Sequence, residues 1–325
     1  MSPATITRRA FVASAAVLTA CAPHGGGTGE AVKLRIGYQK NGVLLLAKLR
    51  GKLPALLAAS GISSVDFFEF GAGPPLLEAL RAGAIDIGGV GDTPPIFAQA
   101  AAAPLVYAAA QPLTGQAEGL VVPAASPIHS LRDLKGRRIA FTKGSSAHLF
   151  TVRALATVGL SLADVTPAYL SPADAAAAFS NGALDAWAIW DPFFAIVQAS
   201  QKARLIVDGR AVTPSNSFFI AARAFAERSP KALAATLDAF AGEAAWANAH
   251  PAAAAALIQA STGLPAPIVA ETLNRGEFSV RPMTDAITRA QQDNADVLSR
   301  LKLIPSAIDV SADVWRGWSP ASPAS

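Results

Sequence analysis

Along residues 34–102 the apolar positions switch between two rhythms. Leu34 to Tyr38, Val65 to Phe70 and Ile85 to Val90 are short apolar runs that predict strands. Around them, Leu44 to Ser60, Pro75 to Ala82 and Pro94 to Ala102 carry apolar residues at helical spacing, with Gly61 and Gly83 as stop signals. The order recurs from residue 138. Arg138 to Phe141, Pro167 to Leu170 and Leu184 to Ile189 predict strands, while Ala147 to Val158 (stopped by Gly159) and Asp174 to Phe179 predict helices. Strands alternating with helices predict parallel sheets in an α/β fold. A helical tail from Pro230 to Leu301 follows, its amphipathic repeats broken at Pro251, Pro265 and Pro282.

The two stretches also echo each other in detail. Gly83-Ala84-Ile85-Asp86 leads to Val90-Gly91-Asp92-Thr93-Pro94, and Gly182-Ala183-Leu184-Asp185 leads to Ile189-Trp190-Asp191-Pro192. Ile36-Gly37-Tyr38-Gln39-Lys40 likewise parallels Ile139-Ala140-Phe141-Thr142-Lys143. An internal repeat of this kind predicts two similar units. Two open sheets in one chain make two lobes with a crevice between them, and ligands of such sheets bind beyond the carboxyl ends of the strands. The echoed turns fall there: Gln39 to Gly42, Gly91 to Thr93, Thr142 to Ser146, and Trp190 to Pro192. Each begins a helix, where unpaired N–H groups and the helix dipole favour an anion. The expected ligand is therefore a small anion.

Composition narrows the class. Of 325 residues 52% are hydrophobic and 15% charged, which excludes a disordered chain. Mean hydropathy is +0.35, yet no uninterrupted apolar stretch reaches the roughly 18 residues of a membrane span. The net charge is +4 with no basic cluster, so a nucleic-acid surface is not expected. One cysteine excludes a disulfide framework and a multi-cysteine metal site. The four histidines, at 24, 129, 148 and 250, share no ligand spacing, and neither a metal nor another cofactor is expected.

No G-x-G-x-x-G follows a strand, and there is no Walker A motif or G-x-S-x-G elbow. Asp92 and Asp191 resemble an acid–base pair, but each precedes residues suited to a helix start and is expected first as a cap, with ligand contact secondary. Ser145 and Ser146 offer hydroxyl and backbone donors to an oxyanion. His148, in the first turn of the same helix, lines the cleft or faces the lobe surface. Trp187 is expected in the core, and Trp190 over an apolar part of the ligand. Glu118 precedes the run Leu120-Val121-Val122 and is expected as a structural or hinge residue. The chain is therefore expected to bind without reacting.

The first twenty residues have the order of an export signal. Arg8-Arg9 precede the apolar run Ala10 to Ala20, and no acidic residue occurs before Glu30. Thr7-Arg8-Arg9-Ala10-Phe11-Val12 resembles a twin-arginine signal, and Leu18-Thr19-Ala20-Cys21 a lipobox that would leave Cys21 lipidated at the new N-terminus. Ala20-Cys21-Ala22 read as an A-x-A cleavage site would remove the cysteine instead. Residues 21–32, including His24 to Gly29, form a flexible tether. Loss of Arg8 and Arg9 lowers the net charge from +4 to +2.

From about Lys33 to Trp315 the chain resembles the aliphatic sulfonate-binding proteins of bacterial ABC importers, within the nitrate/sulfonate/taurine-binding family. The resemblance rests on Arg35 to Lys40 (RIGYQK), Gly73 to Leu80 (GPPLLEAL), Gly91 to Gln99 (GDTPPIFAQ), Ser130 to Gly136 (SLRDLKG), Lys143 to Ser145 (KGS) and Trp187 to Phe193 (WAIWDPF). It implies the type II periplasmic binding protein fold: two parallel or mixed sheets flanked by helices, with the ligand cleft between the lobes. Residues 33–121 and 219–325 would form the first lobe and residues 122–218 the second, hinged near Val121-Pro123 and Asn216-Phe219. By resemblance Gln39, Gly42, Gly91, Asp92, Thr93, Gly144, Ser145, Ser146, His148, Trp190 and Asp191 line that cleft. The implied protein is a periplasmic monomer that captures an alkanesulfonate and docks on a membrane permease with its ATPase. Cys21 departs from the many freely soluble relatives. Receptors for taurine, nitrate or another oxyanion, a sensor subunit, and enzymes on the same fold such as thiamine-pyrimidine synthases are the alternatives.

Overall fold

The computed structural model describes residues 32–212 and 216–320. The expected export signal, Cys21 and nearly all of the tether lie outside these residues. The chain runs through β1 (Val32–Tyr38), α1 (Gly42–Arg50), α2 (Leu53–Leu57), β2 (Ile62–Glu69), α3 (Gly73–Arg81), β3 (Ile87–Val90), α4 (Thr93–Ala100) and β4 (Leu105–Pro112). It continues with β5 (Glu118–Val122), β6 (Arg138–Phe141), α5 (Ser146–Ala156), β7 (Thr166–Tyr169), α6 (Pro172–Ser180), β8 (Ala186–Trp190), α7 (Phe193–Gln201) and β9 (Arg204–Asp208). Then come β10 (Asn216–Ala222), α8 (Arg223–Arg228), α9 (Pro230–Ala249), α10 (Pro251–Thr262), α11 (Ala266–Asn274) and α12 (Asp285–Arg300).

Among the described residues ten strands make two sheets of matching topology, β2-β1-β3-β10-β4 and β7-β6-β8-β5-β9. In each, three parallel strands carry the alternating pattern seen in the sequence, and the fourth position is taken by a strand arriving from the other sheet. β5 runs antiparallel to β8 and β9, and β10 antiparallel to β3 and β4. The sheets are therefore mixed, where the strand–helix pattern alone predicts parallel ones. All of β5 pairs in the second sheet and all of β10 in the first. The chain thus changes sheets between β4 and β5 and between β9 and β10, earlier than the expected Val121-Pro123 and Asn216-Phe219.

The repeated aspartates explain the sequence echo. Asp86 Oδ2 accepts the Arg35 backbone N–H at 2.8 Å, and Asp185 Oδ2 accepts that of Arg138 at 2.8 Å. In each unit the arginine side chain returns a bond to the turn, to the carbonyl of Gly83 or of Ala183. Gly83 and Gly182 both take positive φ, 70° and 69°, as the left-handed stop after α3 and α6 requires. One departure is local. The expected single helix Leu44 to Ser60 breaks because Gly51, at φ 63°, terminates α1, and Pro54 sits in the first turn of α2.

Side chains alternate across the first sheet as the pleat demands: Phe218 packs with Leu76, Tyr107 and Leu298, and Phe219 with Leu44, Leu233 and Phe240. The C-terminal helices cover this first sheet, α9 against α1 and α2, and α12 against α4. Among the described residues no helix is long and apolar enough to cross a membrane.

Candidate functional site

A cavity of about 210 Å³ lies where the carboxyl ends of the two sets of parallel strands face each other. All four echoed turns reach it. Gln39 and Gly42 precede or open α1, Gly91 and Asp92 precede α4, Ser145 and Ser146 open α5, and Trp190 and Asp191 close β8. The starts of α1, α4 and α5 have no side-chain cap, whereas α6 and α12, away from the cavity, are capped by Ser171 and Thr284. First-turn amides left unpaired by the protein are the groups an anion would take.

Side chains at this end are largely committed to the frame. Ser145 Oγ donates to the Thr142 carbonyl at 2.7 Å, Ser146 Oγ to Glu118 Oε1 at 2.7 Å, and Gln39 Nε2 to the Gly89 carbonyl at 3.1 Å. Both serine hydroxyls are therefore already donating, and the Ser145 N–H also pairs with the Thr142 carbonyl, at 3.1 Å. Asn41 Nδ2 crosses the cleft to the Asp191 carbonyl at 2.8 Å. Gly91 touches the second lobe directly: a Cβ built on it would lie 3.0 Å from Ser146 Cβ.

Three expected site residues do not line the cavity. Thr93 is fully buried and donates its hydroxyl to Asp92 Oδ1 at 2.8 Å. Gly144 packs near Phe97 and Pro74. His148 is 1% exposed, so it neither lines the cleft nor faces the lobe surface. Its ring stacks on Phe141 at 5.0 Å, and its Nδ1 accepts the Gly144 N–H at 3.2 Å. Burial, then the nearby Lys143 charge, pushes its pKa down to about 4, so it is a neutral packing residue.

The two echoed aspartates differ. Asp191 caps α7, accepting the Ala195 N–H at 3.0 Å through Oδ1. Asp92 makes no side-chain cap; its carboxylate takes the Thr93 hydroxyl and faces Asn294 of α12. Burial raises both to about 6, opposed at Asp191 chiefly by the Arg275 cation and at Asp92 chiefly by the Thr93 hydroxyl. Asp191 Oδ2 is buried with no hydrogen-bond partner among the described residues.

Arg275, just past α11, has no motif around it, and the sequence pattern does not single it out. Its guanidinium reaches Asp191 Oδ1 at 2.8 Å and Gln198 Oε1 at 2.6 Å, and lies 4.1 Å over the Phe194 ring. Glu118 also lines the cavity, and together with Asp92, Ser146, Arg153 and Asn294 borders a second void of about 20 Å³. Burial, with the neighbouring Asp92 charge, pushes the Glu118 carboxyl up to about 8. Among the described residues no group of three His, Cys, Asp or Glu side chains is placed to hold a metal ion.

Gly91 provides a direct test of lobe approach. Gly91→Val places branched carbons where Ser146 now sits, so the lobes stand apart. Ligand affinity is expected to fall about ten-fold, roughly 1.4 kcal/mol, by isothermal titration, with the apo melting temperature nearly unchanged.

Two sheets of like topology that share a cleft define the two-lobed architecture of the periplasmic binding proteins. Residues 64–254 match the family described as NMT1/THI5 like. A protein of Escherichia coli (strain K12) that bears the name of an aliphatic sulfonates-binding protein is 41% identical over 285 residues, 87% of this chain and 88% of its own. Among solved structures, the alkanesulfonate-binding protein SsuA from Xanthomonas axonopodis pv. citri, bound to MOPS, superposes with a TM-score of 0.82 at 40% identity, covering 88% of this chain and 98% of that one. The periplasmic aliphatic sulphonate binding protein SsuA from Escherichia coli gives 0.79 at 39% identity, over 90% and 94%. The chain belongs to the NMT1/THI5-like family and, within it, to the group of aliphatic sulfonate-binding proteins.

Proposed function

We propose that this chain is an extracytoplasmic receptor that captures aliphatic sulfonates and delivers them to an ABC importer. The observation that carries this reading is the mixed lining of one cavity: uncapped helix starts together with apolar side chains such as Trp190, Phe219, Val269 and Leu273. At a liquid share of about 30 Å³ per water, about 210 Å³ has room for about seven waters, and a bare nitrate or sulfate displaces only some of them. An ionised head with an apolar tail matches both kinds of lining. A sulfonate stays ionised throughout the physiological range, so neutral amides hold it without proton transfer. Residues Gln39, Gly42, Gly91, Ser145, Ser146, Trp190 and Asp191 surround the ligand, which closure of the lobes shields from water. The chain makes and breaks no bond. It works as a monomer in the periplasm, tethered through Cys21 where that residue is lipidated, and docks on a permease whose ATPase drives uptake.

A second reading has its own support. Asp191 Oδ2, buried and without a partner among the described residues, is an acceptor suited to the ammonium of an aminosulfonate such as taurine. One panel separates the readings: melting temperature of the mature protein with alkanesulfonates, taurine, nitrate, sulfate and pyrimidine precursors. A ligand at 100 times its Kd adds about 2.7 kcal/mol, so a rise of roughly 5–10 °C is expected with an alkanesulfonate. A rise with taurine alone moves the assignment to the aminosulfonates, and a rise with pyrimidines alone overturns it.

A further inference from the structure

Helices α10 and α11 form an arm that belongs to neither repeat. α10 packs on α1 and α9 of the first lobe, while α11 packs on α7 of the second. The arm is pinned at both sides of its end. Arg275 reaches Asp191 and Gln198 of the second lobe, and its own carbonyl accepts the Thr114 hydroxyl from the segment joining β4 to β5. Thus the arm spans the cavity from one lobe to the other.

Its inner face is apolar. Ile258 of α10, Leu264 of the turn, and Val269 and Leu273 of α11 all line the cavity. The helix starts line the same cavity. Most of the arm's other positions are small or exposed: α10 buries Ala254 alone, and α11 buries only Ile268 and Val269. Val269 is buried and Ile258 packs against the core of the first lobe, whereas Leu264 and Leu273 join no core cluster among the described residues. Ile258, Leu264 and Leu273 are half-buried. Large apolar side chains that line a cavity and are only half-buried gain from covering by an apolar group.

We infer that the α10–α11 arm is the element that sets tail specificity, with Leu264, Val269 and Leu273 forming a subsite for sulfonates whose tail runs several carbons beyond the head. The assignment rests on the sulfonate reading above and deepens it. Each methylene drawn from water into this subsite tightens binding about three- to four-fold. One- and two-carbon sulfonates reach only the helix starts and gain nothing from the arm.

Isothermal titration of the mature protein with the methane-, butane-, hexane- and octanesulfonates tests this. Wild type is expected to bind more tightly with each added methylene until the cavity is full. Leu273→Asn, polar but uncharged and so without repulsion of the sulfonate head, is expected to flatten that slope and to weaken hexanesulfonate at least ten-fold, far more than it weakens methanesulfonate. Leu264→Ala, a milder truncation on the turn, is expected to reduce the slope without affecting the melting temperature, which separates a lost subsite from a damaged fold. A wild-type affinity independent of tail length, or slopes unaltered in both variants, overturns the assignment while leaving sulfonate capture intact. Absence of binding to every sulfonate overturns both.

Discussion

Gly115→Ala is expected to lower the melting temperature by roughly 6–10 °C, while Gly182→Ala lowers it by about 2–3 °C. Both glycines have left-handed backbone, at φ 82° and 69°, so each alanine incurs about 1 kcal/mol or more of conformational strain. They differ in what a methyl group would meet. A Cβ on Gly182 finds nothing within 4 Å. On Gly115 it would lie 2.7 Å from the Arg210 amide nitrogen and 2.8 Å from the Gly209 carbonyl carbon. Those are backbone atoms of the other connection between the sheets, and they yield only if the two connections separate. Overpacking of this kind adds about 1–3 kcal/mol. The contact is reciprocal, since a Cβ on Gly209 would lie 2.7 Å from the Gly115 carbonyl oxygen. Gly209→Ala, at a backbone that is not left-handed, carries only the overpacking part and is accordingly expected to be about 1 kcal/mol less harmful. The double variant should cost less than the two single changes together, because both push on one gap. Thermal melts of the four proteins decide this, and a Gly115→Ala melt equal to that of Gly182→Ala refutes the close approach.

That junction was not legible in the sequence, and the reason is physical. Gly115 lies in a turn-rich stretch, Pro112-Leu113-Thr114-Gly115, that announces a loop and nothing about its partner ninety-four residues later. Nor do short apolar runs reveal strand direction, so β5 and β10 look like the parallel strands they pair against. What repeats locally was legible: the Asp86 and Asp185 turns, the helix starts at Gly42, Thr93 and Ser146, and the cleft they share. The break between α1 and α2 had its signal in Gly51 and Pro54. Arg275 had none, because a buried cation meets its carboxylate only through tertiary packing, eighty-four residues from Asp191. His148 was misplaced for a related reason. A first-turn position does not say whether its side chain turns toward the solvent or toward Phe141.

Raising the pH from 6 to 9 is expected to destabilise this protein, by roughly 2–3 kcal/mol. The group responsible is Glu118. Burial first, and the Asp92 carboxylate second, push its carboxyl up to about 8, against a hydrogen bond from Ser146 that favours the charged form. Its reference value is 4.5. Between those values the folded chain holds a proton that the unfolded chain has released, so stability falls as pH rises. The contribution is complete below about pH 4.5, declines through the neutral range and is lost once pH passes about 8. Asp92, raised to about 6 beside Arg153, adds the same sign of change at lower pH and is largely spent by pH 7. Glu118→Gln keeps an oxygen for the Ser146 hydroxyl and removes the ionisation. It is expected to melt near wild type at pH 5 and well above it at pH 9, the reverse of the usual loss from deleting a buried carboxylate. Denaturant unfolding of both proteins at pH 5, 7 and 9 measures the difference. Parallel pH profiles for the two would show that some other group titrates. A flat wild-type profile would show that Glu118 stays ionised, leaving its charge, rather than a proton, in the wall between the lobes.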